Sequence, residues 1–334
     1  MIIYEKIIKR GISILLTVLL VCMTQTAYAA EEDEYIPTQI SVSAGSGGCY
    51  QYNEETGDFD YIPADGLEDL KLTPEGQSEL QGTQTVSPKA VIGADNRSIV
   101  TNPSGVLAST CLIGARFGNL VQHGTGWLIN NQYLVTAAHV VCIKGDGTSN
   151  YGVADHVAVY VGASGGTSKQ YRKGHVFAYG GNYEYGNNYF SAGMFDDWAV
   201  VKLDDPVTVS VSYLGLRPVN SKSEMSSGEN AYSTQGYPCD KNGCDEPGAV
   251  WDNSWMYRTS GKIMANKERY LDMVSTNLDM APGQSGSPVW RTASDGSKVE
   301  AMVISTTYYM GNPTNCLILI NDWLYNYLTT NCKA

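Results

Sequence analysis

The sequence predicts an all-β protein body that ends in a short helix. Glycine and tyrosine are plentiful, with 35 Gly and 23 Tyr in 334 residues, and Asn and Ser interrupt short runs of β-branched residues. Long segments with helical periodicity are nearly absent, which is typical of many short strands joined by turns. The body comprises residues 90–334. An all-β barrel protein can reach this size, about 245 residues, as one unit.

Residues 1–29 are predicted to be a signal peptide. They begin with Lys6, Lys9 and Arg10, continue with an apolar run from Ile12 to Met23, and end in small residues around Ala29. A retained membrane anchor is the alternative, but the apolar run is too short to span a bilayer comfortably. No later segment of the sequence predicts a membrane span, so we expect a secreted protein without a stable membrane anchor.

Residues 30–89 carry most of the negative charge. They hold 13 acidic residues against two Lys, whereas residues 90–334 have a net charge of only −3. A Ser/Gly-rich stretch and a second polar stretch argue against a packed core in this segment. Its position between signal and body favours an acidic propeptide, and both a solvated linker and a structured inhibitor are open. The nearly neutral body gives no electrostatic case for a nucleic-acid partner.

The predicted strands of the body are short apolar and β-branched runs at residues 126–129, 133–136, 156–162, 198–203, 231–235, 261–264, 271–276, 287–290 and 299–305. The first two form a hairpin, because only Asn130-Asn131-Gln132 separates them. Asn321 or Asp322 can cap a helix that continues through Leu328. These elements divide into two β-rich halves and a terminal helix.

Six cysteines of an exported body suggest disulfide bonds, although the sequence leaves their pairing open. They are Cys111, Cys142, Cys239, Cys244, Cys316 and Cys332. Cys239 with Cys244 would close a small loop, and Cys111 with Cys142 would brace the region after His139. A metal site is the alternative, but no second pair or nearby His completes four ligands. We therefore expect neither a metal nor a cofactor.

Three motifs supply the parts that acyl transfer to a hydroxyl requires, namely a base, a group that orients the base, and donors for an oxyanion. His139 follows a buried strand, and Asp197 precedes another. Ser285 lies in Gly283-Gln284-Ser285-Gly286-Ser287-Pro288, where glycines allow tight turns and exposed amides. Each motif alone has an ordinary structural explanation, and the chain has three other histidines. The order His, Asp, Ser is the one found in chymotrypsin-type proteases.

The motifs resemble those of the glutamyl endopeptidase group of Gram-positive bacteria, a branch of the chymotrypsin-like serine proteases. The resemblance extends over about the whole body, and it rests on Thr136–His139, Asp197–Leu203, Gly236–Lys241, Gly283–Pro288 and a segment like the family's mature amino terminus, Ala90–Arg97.

This resemblance implies two six-stranded antiparallel β-barrels with the site between them. The first barrel would comprise about residues 90–210, the second about 211–318, and the C-terminal helix about 320–330. It implies that His139 is the general base, that Asp197 holds its tautomer, and that Ser285 is the nucleophile. The N–H groups of Gly283 and Ser285 would form the oxyanion hole. Cleavage near Lys89–Ala90 would convert a zymogen into the mature enzyme.

The specificity pocket is where the sequence departs from that family. The resemblance implies a histidine on a strand within residues 301–308, where Ser305 or Thr306 stands instead. Asp279, six residues before the nucleophile, has the offset of the pocket-base aspartate of trypsin, and a buried carboxylate there would favour Lys or Arg. Asp279 can instead be a solvated loop residue, and Met280 can narrow the pocket. Glu and Lys/Arg preferences are therefore both open.

The leading hypothesis is a monomeric endopeptidase that acts on protein or peptide substrates. A catalytically silent binding protein on the same scaffold is an alternative, because fold does not fix function. A surface-anchored adhesin would need a sorting signal or a second membrane segment, and the sequence shows neither. For the peptidase, we expect acid to stop hydrolysis because an imidazolium cannot accept the serine proton.

Overall fold

The structure is a computed structural model of the chain, and it describes residues 48–63, 91–142, 152–181, 196–219, 231–243, 254–264, 273–292, 299–309 and 315–334. Contacts divide the chain into the units Met1–Ser41 and Val42–Ala334, and every described residue belongs to the second. The predicted signal peptide and the Lys89–Ala90 cleavage site lie outside the described residues. Among the helices within these ranges, none is long and apolar enough to cross a membrane.

Short strands dominate the described residues, as predicted. The strands are β1 (Cys49–Asn53), β2 (Asp58–Ile62), β3 (Ser98–Val100), β4 (Thr110–Phe117), β5 (Leu120–Leu128), β6 (Tyr133–Thr136), β7 (His156–Val161), β8 (Gln170–Gly180), β9 (Ala199–Leu203), β10 (Gly215–Leu216), β11 (Tyr232–Gly236), β12 (Met256–Gly261), β13 (Ile263–Met264), β14 (Met273–Thr276), β15 (Pro288–Thr292), β16 (Val299–Tyr309) and β17 (Asn315–Leu319). The helices are α1 (Ala138–Val141), α2 (Cys239–Asn242) and α3 (Asp322–Asn331), and Gly105–Ser109 forms a 3-10 turn.

The first sheet closes into a six-stranded antiparallel barrel. Its strands follow the order β8-β7-β4-β5-β6-β9, and β9 pairs back onto β8. Burial alternates along β7, with Val157, Val159 and Val161 inside, which is the two-residue period of a half-buried strand. The predicted hairpin is present, since Asn130 Oδ1 accepts the N–H of Tyr133 at 2.8 Å in the turn between β5 and β6. The prediction of a β-barrel is confirmed for this half.

A hairpin of β1 and β2 extends the first barrel, and the sequence did not predict it. β1 pairs with β2 and with the end of β8. The turn between its strands contains Asn53, whose side chain accepts the N–H of Glu55 at 2.9 Å, and Gly57, whose φ is +74°. The expectation that residues 30–89 lack a packed core is therefore wrong for Cys49–Ile62. Acidic residues in the turn obscured the alternating aromatic residues of the two strands.

The second sheet follows the order β13-β14-β17-β16-β15-β11-β12-β3, with β10 beside β16. β13 lies at one end of this order and β12 lies near the other end. Only Lys262 separates the two strands in the chain, so these parts of the sheet lie close together. Tyr232, Met280, Val289 and Leu317 belong to the core cluster of this half. Five strands predicted in this half by the sequence are present with shifted ends.

The C-terminal helix α3 packs against the first barrel. Asn321 is its cap, because its Oδ1 accepts the N–H of Leu324 at 2.8 Å, so one of the two predicted caps is confirmed. Tyr327 lies against Trp198 with ring centroids 5.8 Å apart. Leu328 joins the same buried cluster as Trp198. The helix thus packs against Trp198, the residue that follows Asp197.

The structure contradicts one of the two suggested cysteine pairs. Cys111 and Cys142 are both buried reduced thiols in the core cluster of the first barrel, so the predicted bridge between them is wrong. Burial raises the pKa of both thiols, which keeps them protonated and apolar in character. Cys239 is disulfide-bonded, but Cys244 and the side chain of Cys316 lie outside the described residues. The pairing of Cys239 with Cys244 stays a prediction.

Candidate active site

The structure brings His139 and Asp197 into direct contact, 58 positions apart in the chain. His139 Nδ1 lies 2.7 Å from Asp197 Oδ2, and the His139 backbone N–H donates to Asp197 Oδ1 at 2.9 Å. The Asp197 side chain is fully buried, whereas the His139 side chain is 18% exposed. A buried carboxylate needs such donors, because without them its desolvation would be unfavourable.

Strand register explains why these two residues meet. β6 and β9 are antiparallel neighbours, and Thr136 is opposite Ala199. Residues just after Thr136 are therefore level with residues just before Ala199. The short helix α1 begins at Ala138 and turns His139 toward the carboxylate. The sequence predicted both strands, but only their pairing places the imidazole beside Asp197.

The second ring nitrogen of His139 is available for chemistry. Because the Asp197 carboxylate accepts a hydrogen bond, Nδ1 carries the hydrogen, and Nε2 is left as the acceptor in the neutral ring. Nε2 is buried, and no hydrogen-bond partner reaches it from the described part of the chain. An oriented imidazole with a vacant acceptor nitrogen is the arrangement that a general base requires.

Ser285 lies on a tight loop that packs against the histidine segment. Gly283 and Gly286 flank it with φ of +87° and +84°, which side chains rarely tolerate. A Cβ atom on Gly286 would lie 2.2 Å from the Thr125 carbonyl oxygen and 2.8 Å from Ala137 N. Ser285 itself is 3% exposed, and its carbonyl oxygen accepts the Thr125 N–H at 2.9 Å. The serine loop and the His139 segment are therefore in van der Waals contact.

Two peptide groups of this loop have fixed orientations. The Pro282 carbonyl accepts the N–H of Cys239 at 2.7 Å, and the Gln284 carbonyl accepts the N–H of Ser287 at 3.1 Å. In a trans peptide the N–H points opposite to the carbonyl. The N–H groups of Gly283 and Ser285 consequently point away from these partners, as an oxyanion hole demands.

Thr125 connects the two halves of the site, and sequence analysis missed it. Its Oγ1 donates to the Gly283 carbonyl at 2.8 Å and accepts the Tyr237 N–H at 3.1 Å. The Thr125 carbonyl accepts from Thr136 Oγ1 at 2.8 Å. The sequence contains one signal of this role, because Thr125 stands between Gly124 and Gly126. Glycine is needed at position 124 in the structure, since a Cβ atom there would lie 2.7 Å from Val140.

Asp279 is neither solvated nor without partners. It is fully buried, its Oδ1 accepts the Ile92 N–H at 2.7 Å, and its Oδ2 accepts the Asn96 N–H at 3.0 Å. The alternative that placed Asp279 on a solvated loop is therefore wrong. These contacts anchor the segment that follows the predicted cleavage site. Arg97 of this segment also donates to Asp240 of α2, at 2.9 Å from Nη1 to Oδ1.

The remaining pocket candidates take different places. Met280 is fully buried in the core of the second sheet, so its side chain contributes to packing there. Ser305 and Thr306 lie in β16, and their side chains fall outside the described residues. The specificity of the pocket therefore stays a prediction.

Comparison with known proteins agrees with this geometry. The family model described as a trypsin-like peptidase domain matches residues 124–299, a range that contains His139, Asp197 and Ser285. A search of curated proteins gives no match. A solved structure described as "Structure of Glu endopeptidase in complex with MPD" is 19% identical, with a TM-score of 0.54, and the match covers 72% of this chain and 99% of that chain. That likeness shows a shared fold. The chain belongs to the trypsin-like peptidase domain family and is a chymotrypsin-like serine peptidase.

Proposed function

We propose that this protein is a secreted endopeptidase that cleaves peptide bonds through an acyl-enzyme on Ser285. One observation carries the proposal: His139 is hydrogen-bonded to buried Asp197 through Nδ1 at 2.7 Å, and its Nε2 has no hydrogen-bond partner among the residues that the structure describes. The loop that bears Ser285 packs against Ala137, two residues before His139. Secretion is supported by the sequence of residues 1–29.

In the first half of the reaction, His139 Nε2 takes the proton of the Ser285 hydroxyl as its oxygen attacks the scissile carbonyl. Asp197 stabilises the imidazolium that forms, and it holds the ring in place. The imidazolium then gives its proton to the leaving amine. In the second half, water attacks the acyl-enzyme with His139 again acting as base, and Ser285 is regenerated.

The oxyanion of each tetrahedral intermediate would be bound by the N–H groups of Gly283 and Ser285. Their orientation is supported by the hydrogen bonds of the preceding carbonyl groups. Such donors act most strongly where charge develops in the transition state, and the loss of one typically costs about 10²–10³ in kcat.

The residue that this endopeptidase prefers before the cleaved bond is open, with Glu and Lys or Arg as the candidates. Both carboxylate oxygens of Asp279 already accept backbone N–H groups, which favours a structural role over recognition of a basic side chain. Cleavage near Lys89–Ala90 is part of the proposal, because the anchored segment starts immediately after that site.

The test is the Ser285→Ala variant, with Ser287→Ala from the same loop as its matched control. A fluorophosphonate probe should label the parent and the control but not Ser285→Ala. Casein hydrolysis should fall by about 10⁴-fold or more in Ser285→Ala only. Peptide-library cleavage by the parent enzyme then identifies the preferred residue. If the parent, once cleaved near Lys89–Ala90, neither reacts with the probe nor cleaves peptides, the result contradicts the proposal and favours a binding protein on a peptidase scaffold.

A further inference from the structure

The β1–β2 hairpin is built from residues that the sequence assigned to a removable propeptide. β1 forms an antiparallel ladder with β8, in which Cys49 is opposite Gly180 and Gln51 is opposite Ala178. β7 pairs with β8 only from Gln170 to Gly174. β1 therefore uses a part of β8 that β7 leaves, and it forms a continuous sheet with the closed barrel.

The hairpin contributes side chains to the cores of the described body. Cys49 is fully buried in the cluster that contains Trp198 and Tyr327. Burial raises the pKa of its thiol to about 12, so it packs as a small neutral group. Tyr50 stacks on Tyr179 with ring centroids 5.3 Å apart. Removing the hairpin would expose this apolar surface, which is unfavourable in water.

Polar contacts join the hairpin to three different elements. Tyr327 of α3 donates from its hydroxyl to Gln51 Oε1 at 2.8 Å. At the end of β8, Gly181 N–H donates to the Gly48 carbonyl at 2.9 Å. On β9, Lys202 forms an ion pair with Glu54 in the turn of the hairpin. Because these contacts involve several elements, they indicate that the hairpin is an integral part of the folded barrel.

The end of β8 also contacts the residues on both sides of Asp197. Gly180 N–H donates to the Trp198 carbonyl at 3.1 Å. A Cβ atom on Gly180 would lie 2.1 Å from the Asp196 carbonyl oxygen, so no side chain fits between them. The hairpin therefore supports the backbone that carries Asp197.

We propose that the β1–β2 hairpin stays bound to the body after the chain is cleaved near Lys89–Ala90. It remains as a noncovalently bound strand pair that positions Asp197. The mature enzyme then consists of two chains, the hairpin fragment and the body. The proposal rests on the proposed maturation near Lys89–Ala90, but the interaction can be tested with a cut made at a chosen time.

The first experiment places a recognition site for a sequence-specific endoprotease between residues 63 and 91 of the full chain, in a Ser285→Ala background that prevents self-cleavage. After the cut, size-exclusion chromatography is run under reducing conditions, because Cys49 and Cys332 are reduced thiols in the same cluster. We expect the fragment to elute with the body in equal amounts and to separate only in denaturant. A fragment that separates from a folded body would overturn the proposal.

The second experiment tests positioning in the active enzyme. Tyr50→Ala removes the ring that stacks on Tyr179, and Tyr50→Phe keeps it. With rates expressed per titrated active site, Tyr50→Ala should lower kcat by about tenfold or more and leave KM within about twofold. Tyr50→Phe should keep the kcat of the parent, because the stacked ring is still present. An unchanged kcat per active site in Tyr50→Ala would show that the hairpin does not position Asp197.

Discussion

The contacts of Thr125 predict a large effect for the substitution Thr125→Val, which keeps the shape of the side chain and removes its hydroxyl. Two buried groups would lose their partner: the Gly283 carbonyl at 2.8 Å and the Tyr237 N–H at 3.1 Å. Each buried group left without a hydrogen bond costs about 1–3 kcal/mol. We therefore expect the free energy of unfolding to fall by about 2–6 kcal/mol.

Thr136→Val is the matched control, because it removes one hydrogen bond from the same buried region. Within the described part of the chain, its Oγ1 makes one hydrogen bond, to the Thr125 carbonyl at 2.8 Å. The expected loss is about 1–3 kcal/mol, or about half that of Thr125→Val. Urea denaturation in the Ser285→Ala background measures both values without self-digestion.

Catalysis gives an independent readout of the same hydroxyl. Thr125 holds the carbonyl of Gly283, the residue whose N–H is proposed to bind the oxyanion. Displacement of that donor should lower kcat by about tenfold or more in Thr125→Val, measured per titrated active site. The reasoning is refuted if Thr125→Val is no less stable than Thr136→Val and retains the parent kcat.

Three further predictions concern carboxylates. Asp197→Asn should lower kcat by about 10⁴-fold with the fold retained by circular dichroism, because it favours the wrong imidazole tautomer; a smaller loss would remove Asp197 from the triad. Asp279→Asn should destabilise the protein by about 1–3 kcal/mol in urea unfolding and leave the peptide-library profile unchanged, whereas a lost Lys/Arg preference would identify a pocket base. The Arg97 and Lys241 side chains hold the pKa of the Asp95 carboxyl well below its usual range. The stabilisation by the ionised Asp95 carboxyl is fully present above its unfolded pKa of about 3.9 and is lost as the pH falls toward its lower folded pKa. Asp95→Asn should therefore reduce the decrease in unfolding free energy between about pH 5 and about pH 2. A decrease equal to that of the parent would contradict this.

The strands of the body were largely predictable because their signal is local. Alternating burial on β7 and the apolar runs of β6 and β9 are visible in windows of a few residues. The cap of α3 was predictable for the same reason, since Asn321 and Leu324 are three positions apart. β4 and β8 were not among the predicted strands, although both belong to the closed barrel, in which β4 pairs with β5 and β7, and β8 pairs with β7 and β9. Gly114 interrupts the apolar run of β4, and Arg172, Lys173 and Gly174 interrupt the apolar pattern of β8.

The sequence nominated the candidate site residues, but it did not indicate the hydrogen bonds that hold them in place. His139, Asp197 and Ser285 stand in short local motifs whose combination and chain order indicate a triad, and the range of the family match contains all three. Thr125 carries no such motif, because its role depends on Gly283, which is 158 positions away. The hairpin at Cys49–Ile62 was missed since its acidic composition resembles that of a disordered segment.

By itself, the sequence determined several short strands of the body, among them β6, β7 and β9, the chain order of the three candidate site residues, and a helix that starts at Asn321 or Asp322. Only the tertiary structure decided that Asp279 binds Ile92, 187 positions away, and that an apparent propeptide supplies strands to the first barrel. The physical reason is that local patterns fix periodicity and turns, whereas hydrogen-bond partners across strands depend on register and packing. A buried carboxylate takes whichever donors the fold brings within reach, and the sequence around it does not name them.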